Sequence, residues 1–344
     1  MKRNVKLIVT LSSLALLLCA CRGGRGRNSE SSISLPWISG STTVSPTTGS
    51  NPTTGANPTT GTTQGGSSAT TQSGTSQSSQ TTGSSQSSQT TSVAPATSVI
   101  STSQSGDVQT YYSGISDSLT GTDLLNALNS LNTSKKKRSV GYDGMRTFAS
   151  KCDIDPDGSG KIIGFYDNAK IGPSWDSGKT WNREHVWPNC RGGDLVEGDA
   201  HMPRPASVST NSDRGSKGFG TGSYDPGQTV AYYRGVASRI IFYCAIANKS
   251  LKLIEDPINY DGGQPDDSMG CLSDMLRWNL QYQPADTSFT GQDDLARRVE
   301  LQRNDVIEKD SAGQGNRNPF IDHPEYACRI WGSTNSTTRS ICGM

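Results

Sequence analysis

Two short stretches near the middle of the chain contain the residue types best suited to chemistry. The first reads WNREHVWP and places the carboxylate of Glu184 beside the imidazole of His185. The second reads GDAHMPRPASVSTNSDRG and contains the amide of Asn211. An imidazole can take a proton from water, and carboxylate and amide oxygens are the ligands that hard divalent cations prefer. A base and a cation together can hydrolyse a phosphodiester, because the cation stabilises the charge on the phosphate and on the leaving oxygen.

The residues around Glu184 and His185 predict a short strand. Neighbouring residues of a regular strand point to opposite faces of the sheet. Pro188 predicts that the strand ends soon after His185. A bend at that point would bring both side chains toward one site.

The second stretch predicts a short helix. Pro205 suits the first turn of a helix, and Gly215 suits its end. Asn211 and Arg214 are three residues apart and therefore lie on one face of this helix. The amide oxygen of Asn211 can bind a cation. The guanidinium of Arg214 can contact a phosphate or, alternatively, pair with a carboxylate inside the protein.

Two further residues of this region have two interpretations each. His201 could orient a cation ligand, or it could form a hydrogen bond that only stabilises the local fold. Glu197 could hydrogen-bond a water molecule on the cation, or it could be a solvated loop carboxylate.

These motifs resemble those of the endonuclease I family of secreted bacterial nucleases, which belongs to the ββα-metal, or His-Me finger, group. The first family motif resembles Trp-Asn-Arg-Glu-His-Val-x-Pro and is matched by Trp181, Asn182, Arg183, Glu184, His185, Val186 and Pro188. The second resembles Asp-x-His, Pro and Asn-x-x-Arg-Gly and is matched by Asp199, His201, Pro205, Asn211, Arg214 and Gly215. A third block reads GNRNPFIDHPE and runs from Gly315 to Glu325. The resemblance extends over about Tyr111 to Trp331.

The resemblance implies a ββα-metal finger and a mechanism. His185 would be the general base that activates water for in-line attack on phosphorus. Glu184 and Asn211 would hold one Mg²⁺, for which Mn²⁺ or Ca²⁺ could substitute. The products would carry 5′-phosphates. Members of the family act on DNA, and often on RNA, with little sequence preference, which suits contacts to the phosphate backbone rather than to base edges.

The N-terminus predicts an exported lipoprotein. Residues 1–21 begin with three basic residues and continue in an apolar run that is too short to span a bilayer as a mature helix. The run ends in Leu-Cys-Ala-Cys, which resembles a bacterial lipoprotein box with Cys21 as the lipidated residue. An ordinary cleaved signal peptide is the alternative. Lipidation would anchor the mature protein to the cell envelope, outside the cytoplasm, without spanning the membrane.

A low-complexity stretch separates this leader from the rest of the chain. Residues 22–107 consist mainly of Ser, Thr, Gly and Gln. Such a segment cannot bury enough apolar surface to offset its chain entropy, so we expect a flexible tether. Residues 108–344 are mixed in composition and long enough to bury a sizeable core, so they form the predicted nuclease domain.

The predicted domain is α+β and mainly helical. Apolar residues recur at helical spacing over 122–131, 230–247 and 294–310. The run 161–166 reads as a short strand.

The cysteines of the domain predict disulfide bonds, because their number is even and the chain is exported. No CxxC pair occurs, which disfavours a structural zinc site. The sequence does not choose among the pairings. The six cysteines are Cys152, Cys190, Cys244, Cys271, Cys328 and Cys342.

The leading hypothesis is a monomeric nuclease that degrades extracellular DNA, with RNA as a further substrate class. The formal net charge is +1, so the overall charge of the chain gives no indication of a polyanionic partner. The second hypothesis is a catalytically inactive surface protein that binds nucleic acid, or acts as an adhesin, on the same scaffold. The presence of Glu184, His185 and Asn211 together argues against it. A zinc peptidase is disfavoured because no HExxH motif is present.

Overall fold

The structure is a computed structural model that describes residues 106–256 and 267–344. The predicted leader, with Cys21, and all but the end of the predicted tether lie outside the described residues. Among the helices that are described, none combines the length and the apolar character needed to cross a membrane.

Helices make up most of the described fold, and its strands are short and paired in twos. This is an α+β architecture, mainly helical, as the sequence predicts. The strands β1 and β2 pair antiparallel, as do β3 and β4, whereas β5 and β6 pair parallel. In chain order the elements are α1 (Gly106–Tyr111), α2 (Gly121–Lys135), α3 (Met145–Cys152), β1 (Ile162–Ile163), β2 (Lys170–Ile171), β3 (Trp181–His185), β4 (Pro203–Ser207), α4 (Val208–Arg214), α5 (Tyr233–Ala247), β5 (Lys252–Leu253), β6 (Ser268–Met269), α6 (Leu272–Gln281), α7 (Gly291–Lys309), α8 (Pro319–Asp322), α9 (Glu325–Trp331) and α10 (Ser336–Cys342).

Helix α5 lies at the centre of the core because its side chains are buried on nearly every side. It packs against α2, α6, α7 and α8. Its Arg239 is fully buried and is paired with Glu300 of α7, with 2.7 Å between Nη2 and Oε2. Nη1 of Arg239 also donates to the carbonyl oxygen of Tyr282 at 2.8 Å. A buried charge that is paired and hydrogen-bonded in this way fixes α7 against α5.

The three helices predicted from periodicity are confirmed as α2, α5 and α7, with small shifts at their ends. The predicted strand 161–166 is wrong in length, because β1 ends at Ile163. The chain turns immediately afterwards to bring β2 back alongside β1. Tyr166 lies in that turn with φ at +80°, a conformation that no strand residue adopts.

Strands β3 and β4 form a hairpin that is followed directly by α4. In the hairpin Glu184 is opposite Arg204 and His185 is opposite Pro203. The prediction that Pro205 occupies the first turn of the helix is wrong, because Pro205 lies in β4. A two-stranded hairpin has only edge strands, which tolerate proline.

The helix α4 instead begins at Val208, and Ser207 caps its N-terminus. The Ser207 hydroxyl accepts a hydrogen bond from the backbone N–H of Thr210 at 3.3 Å. Gly215 follows the last residue of α4 with φ at +56°, so the predicted end of the helix is confirmed.

One disulfide bond is present among the described residues. It joins Cys328 of α9 to Cys342 of α10, with 5.5 Å between their Cα atoms. Cys152, Cys244 and Cys271 are buried thiols outside any disulfide. The bond therefore secures the C-terminal helices. Of the three thiols, Cys152 contacts Asp153 and Arg303 through Sγ, whereas Cys244 packs in the core as a small apolar residue.

Candidate active site

Glu184 lies in β3 with only 2% of its surface exposed. Its Oε1 atom accepts a hydrogen bond from the Tyr166 hydroxyl at 2.8 Å and lies 3.1 Å from Nη1 of Arg214. Burial raises the pKa of the Glu184 carboxyl, and the charge of Arg214 and the hydroxyl of Tyr166 oppose that shift. Both contacts are to Oε1. Within the described residues, Oε2 therefore has no hydrogen-bond partner and can accept another ligand.

Arg214 joins the end of α4 to the end of β3. Its Nη1 donates to the carbonyl oxygen of His185 at 2.7 Å, and its Nη2 donates to that of Val186 at 2.6 Å. The guanidinium also lies 4.9 Å from the centre of the Phe219 ring. Only 1% of the side chain is exposed, so Arg214 cannot contact a phosphate in this conformation. Of the two predicted alternatives, these contacts match the internal ion pair.

His185 is the last residue of β3, and 16% of its side chain is exposed. Its Nε2 lies 3.2 Å from Oε2 of Glu197, and its ring centre lies 4.4 Å from that of Tyr142. Because a carboxylate only accepts hydrogen bonds, Nε2 carries the hydrogen and Nδ1 keeps its lone pair. Burial lowers the pKa of His185, and Glu197 opposes the shift. The imidazole is therefore favoured in the neutral form that can accept a proton.

Glu184 and His185 keep the alternating orientation of strand neighbours. The strand ends at His185, as Pro188 predicts, but both residues lie inside it and no bend separates them. Glu184 contacts Tyr166 and Arg214. His185 instead contacts Glu197 and the ring of Tyr142. Arg214 links the two, because it binds the carboxylate of one and the backbone oxygen of the other.

Asn211 lies in α4 and is half-buried. The helix packs against both β3 and β4, which brings Asn211 to the same hairpin as Glu184. Its side chain has no hydrogen bond to any described residue, in contrast to Ser207 and Thr210 earlier in the same segment. Its amide oxygen is therefore available for a ligand from outside the protein.

The available donors suit a hard divalent cation that takes most of its ligands from water or substrate. They are the Oε2 atom of Glu184 and the amide oxygen of Asn211, and Mg²⁺ binds through few protein oxygens in this way. Within residues 106–256 and 267–344, no group of three or more His, Cys, Asp or Glu residues could hold a metal ion. The donor set is thus compatible with the Mg²⁺ that the sequence predicts and does not suit a structural zinc ion.

His201 lies in a buried network with the third sequence motif and has no described contact with Glu184 or His185. Its Nε2 is 3.2 Å from the backbone oxygen of Asn316, and its ring centre is 4.5 Å from that of Tyr243. The side-chain amide of Asn316 donates to the Tyr243 hydroxyl at 2.7 Å. Burial lowers the pKa of His201 to about 4. These contacts match the structural alternative for His201.

Sequence reasoning did not single out two tyrosines that contact the site. Tyr142 packs against His185, and Tyr166 holds Glu184. Tyr166 lies 18 residues from Glu184, and Tyr142 lies further still from His185, so no helix or strand spacing marks either contact. Glu197, for which the sequence left open a contact to a cation-bound water or a solvated loop position, contacts His185 through Oε2.

Comparison with known proteins agrees with the motifs. Residues 120–264 match the family described as Endonuclease I, and this range contains Glu184, His185 and Asn211. The chain is 33% identical over 261 residues to an extracellular ribonuclease of Bacillus amyloliquefaciens, a match that covers 69% of this chain and 83% of the relative. It is 29% identical over 255 residues to an extracellular ribonuclease of Bacillus subtilis (strain 168), covering 65% of this chain and 79% of the relative. No solved structure matches the chain significantly. From its three motifs and the extent of these matches, the chain belongs to the endonuclease I family of nucleases.

Proposed function

We propose that this protein is a secreted, metal-dependent endonuclease that hydrolyses extracellular RNA and DNA. The observation that carries the proposal is the pairing of His185 with Glu197 at the end of β3, 3.2 Å apart, beside the buried carboxylate of Glu184. A partly exposed neutral imidazole held by a carboxylate is the arrangement that general-base catalysis requires.

In the proposed reaction, Nδ1 of His185 takes the proton of the attacking water. Glu197 holds the ring through Nε2 and stabilises the positive charge that the imidazole then acquires. Arg214 keeps His185 and Glu184 in place through the backbone oxygen of one and the carboxylate of the other. Arg214 is thus a positioning residue in this account.

Glu184 and Asn211 would hold the cation, Mg²⁺ by preference or Mn²⁺ or Ca²⁺. When bound, the cation would supply charge stabilisation at the phosphate and at the departing oxygen. Among the described residues, neither Oε2 of Glu184 nor the side-chain amide of Asn211 has a hydrogen-bond partner, which supports this role. The hairpin β3–β4 followed by α4 is the segment that would form the ββα-metal finger of the His-Me group.

We propose RNA as a substrate at least as important as DNA, because the two relatives are both named extracellular ribonucleases. Binding through the phosphate backbone would allow both polymers to be cleaved without sequence preference. We also propose that the protein is exported, anchored through a lipid at Cys21, and monomeric.

The proposal is tested by incubating the full chain with supercoiled plasmid and with a long RNA, in Mg²⁺ and in EDTA. We expect hydrolysis of both polymers in Mg²⁺, loss of activity in EDTA, and recovery when Mg²⁺ or Mn²⁺ is added back. A folded chain that leaves both polymers intact in every divalent metal would contradict the proposal and favour a binding protein. Equal hydrolysis in EDTA would contradict its metal dependence.

A further inference from the structure

A row of aromatic and basic side chains leads away from His185. The Tyr142 ring lies against the imidazole, and the Arg183 guanidinium lies 3.6 Å from the centre of the Tyr142 ring. Trp175 follows, with its ring centre 5.2 Å from the guanidinium of Arg183. Arg146 is next, 5.4 Å from the same tryptophan ring. We call Tyr142, Arg183, Trp175 and Arg146 the aromatic–arginine row.

The two arginines of the row differ in their exposure. Arg183 is 9% exposed, and its Nη1 donates to the carbonyl oxygen of Tyr142 at 2.7 Å, so it mainly holds the row together. Arg146 has 40% of its side chain exposed at the outer end. Both pair with one carboxylate oxygen of Asp143, at 2.8 Å and 2.9 Å. Two guanidinium groups share one carboxylate, so the group formed by Arg183, Arg146 and Asp143 carries one net positive charge.

Trp175 is anchored but not closed off by its neighbours. Its ring packs edge-on against the buried Trp181, with centres 4.9 Å apart and planes at 86°. Both guanidinium carbons lie more than 5 Å from its centre, whereas Arg183 lies 3.6 Å from Tyr142 in a close stack. Trp175 is only partly buried, so part of its ring remains exposed beside the two guanidinium groups.

We propose that the aromatic–arginine row binds a single-stranded segment of nucleic acid adjoining the phosphate at His185. The inference rests on the proposed nuclease function. Arg146 would contact a phosphate of that segment, and Trp175 would stack on an unpaired base, as in other sites for single strands. The bases of a duplex are already stacked on one another, so only the phosphate contact would remain for a duplex. The row thus predicts a preference for single-stranded substrates.

The phosphate contact is tested by equilibrium binding of a labelled single-stranded oligonucleotide, followed by fluorescence anisotropy. The full chain would carry His185→Ala, and EDTA would prevent cleavage. Adding Arg146→Ala should weaken binding several-fold and reduce the slope of log affinity against log salt by about 0.7, the value for one phosphate contact on a single strand. Arg277→Ala is the matched control, since Arg277 is 49% exposed and also pairs with an aspartate three residues earlier. It should leave affinity and slope unchanged.

The stacking contact is tested with Trp175→Leu and Trp175→Phe in the same background. Losing a base–aromatic stack should weaken single-strand binding by roughly 5- to 150-fold with leucine, and phenylalanine should restore most of it. Binding to a duplex of the same length should change little with either variant. Thermal melting of both variants confirms that the fold is retained.

Single-strand binding that is unchanged by Arg146→Ala and by Trp175→Leu would overturn the proposal. Equal losses for single strand and duplex with Trp175→Leu would overturn the stacking role. Hydrolysis by the wild-type chain in Mg²⁺ is measured alongside. If hydrolysis is normal but neither variant changes binding, only the proposed role of the aromatic–arginine row is contradicted. If the variants weaken binding but the wild-type chain does not hydrolyse the polymer, the proposed nuclease function is contradicted.

Discussion

The buried carboxylate of Glu184 shows how single residues determine what this site can hold. Tyr166 and Arg214 both contact its Oε1 atom, which leaves Oε2 without a hydrogen-bond partner among the described residues. Tyr166 does this from a backbone conformation, φ +80°, that is unusual for an aromatic residue. The aromatic cluster around it stabilises that conformation, with Phe165 at 4.2 Å and Tyr224 at 5.5 Å between ring centres.

The Tyr166→Phe variant should therefore bind Mn²⁺ less tightly, by roughly 10- to 100-fold, the usual cost of losing a group that orients a metal ligand. Titration of the full chain with Mn²⁺, followed by electron paramagnetic resonance, measures this directly and does not depend on activity. Tyr224→Phe is the matched control, because Tyr224 belongs to the same aromatic cluster and has no described hydrogen bond to Glu184. Equal Mn²⁺ affinities in the two variants would contradict the orienting role of Tyr166.

Glu197 should act on the rate of hydrolysis through His185. Replacing the carboxylate by an amide in Glu197→Gln removes the negative charge that stabilises the imidazolium, so kcat should decrease by roughly tenfold or more while KM changes little. Steady-state kinetics on RNA measures both constants. Asp194→Asn in the same loop is the control, since Asp194 is exposed and has no described contact with His185. A change confined to KM would indicate a role in substrate binding instead.

At the scale of elements, the hairpin β3–β4 and the helix α4 position Glu184, His185 and Asn211. Ser207 stands at the junction of β4 and α4, where its hydroxyl accepts from the N–H of Thr210 and donates to Asp167 at 3.0 Å. Ser207→Ala removes this cap, and the free energy of unfolding should decrease by about 1 kcal/mol. Urea denaturation measures the loss. Ser209→Ala, at an exposed position of the same helix, is the control and should cost less.

Helix periodicity predicted α2, α5 and α7, because each buries one or more apolar faces at regular spacing. The same reasoning misplaced the start of α4, since proline suits a strand edge as well as a first helical turn. The predicted strand 161–166 was too long, because the sequence around Tyr166 gives no sign that this residue has a positive φ.

The residue types of the candidate site were evident from the sequence, but their contacts were not. Glu184, His185 and Asn211 stand out by type and spacing alone. Their contact partners lie beyond the reach of helix or strand spacing, as Tyr166 does at 18 residues from Glu184, and only the fold brings them together. Arg214 and His201 had two interpretations each, and their burial, with 1% and 3% exposed, favours the structural one.

At the scale of the whole molecule, stability should depend on pH through the buried His201. Burial lowers its folded pKa from 6.5 to about 4, and the charge of Asp199 opposes this only in part. Between these values the unfolded chain binds a proton that the folded chain does not. The free energy of unfolding therefore decreases as pH falls from 6.5 toward 4, by up to about 3 kcal/mol. Below pH 4 this group causes no further decrease.

The His201→Gln variant keeps an N–H that can reach the Asn316 carbonyl and removes the titration. Urea denaturation at pH 7 and at pH 4.5 should show a smaller loss on acidification in this variant than in the wild-type chain. Identical losses in both proteins would show that other groups, not His201, set the acid limit.

A comparison of the wild-type full chain with His185→Ala in Mg²⁺, on the same RNA and plasmid DNA, tests the role of His185 most directly. Removal of a general base should slow hydrolysis by roughly 100- to 10,000-fold, while binding of the uncleaved polymer in EDTA stays the same. End-group analysis of the wild-type products should find 5′-phosphates. A His185→Ala chain that hydrolyses either polymer at the wild-type rate would contradict the central claim that His185 is the base of a metal-dependent nuclease.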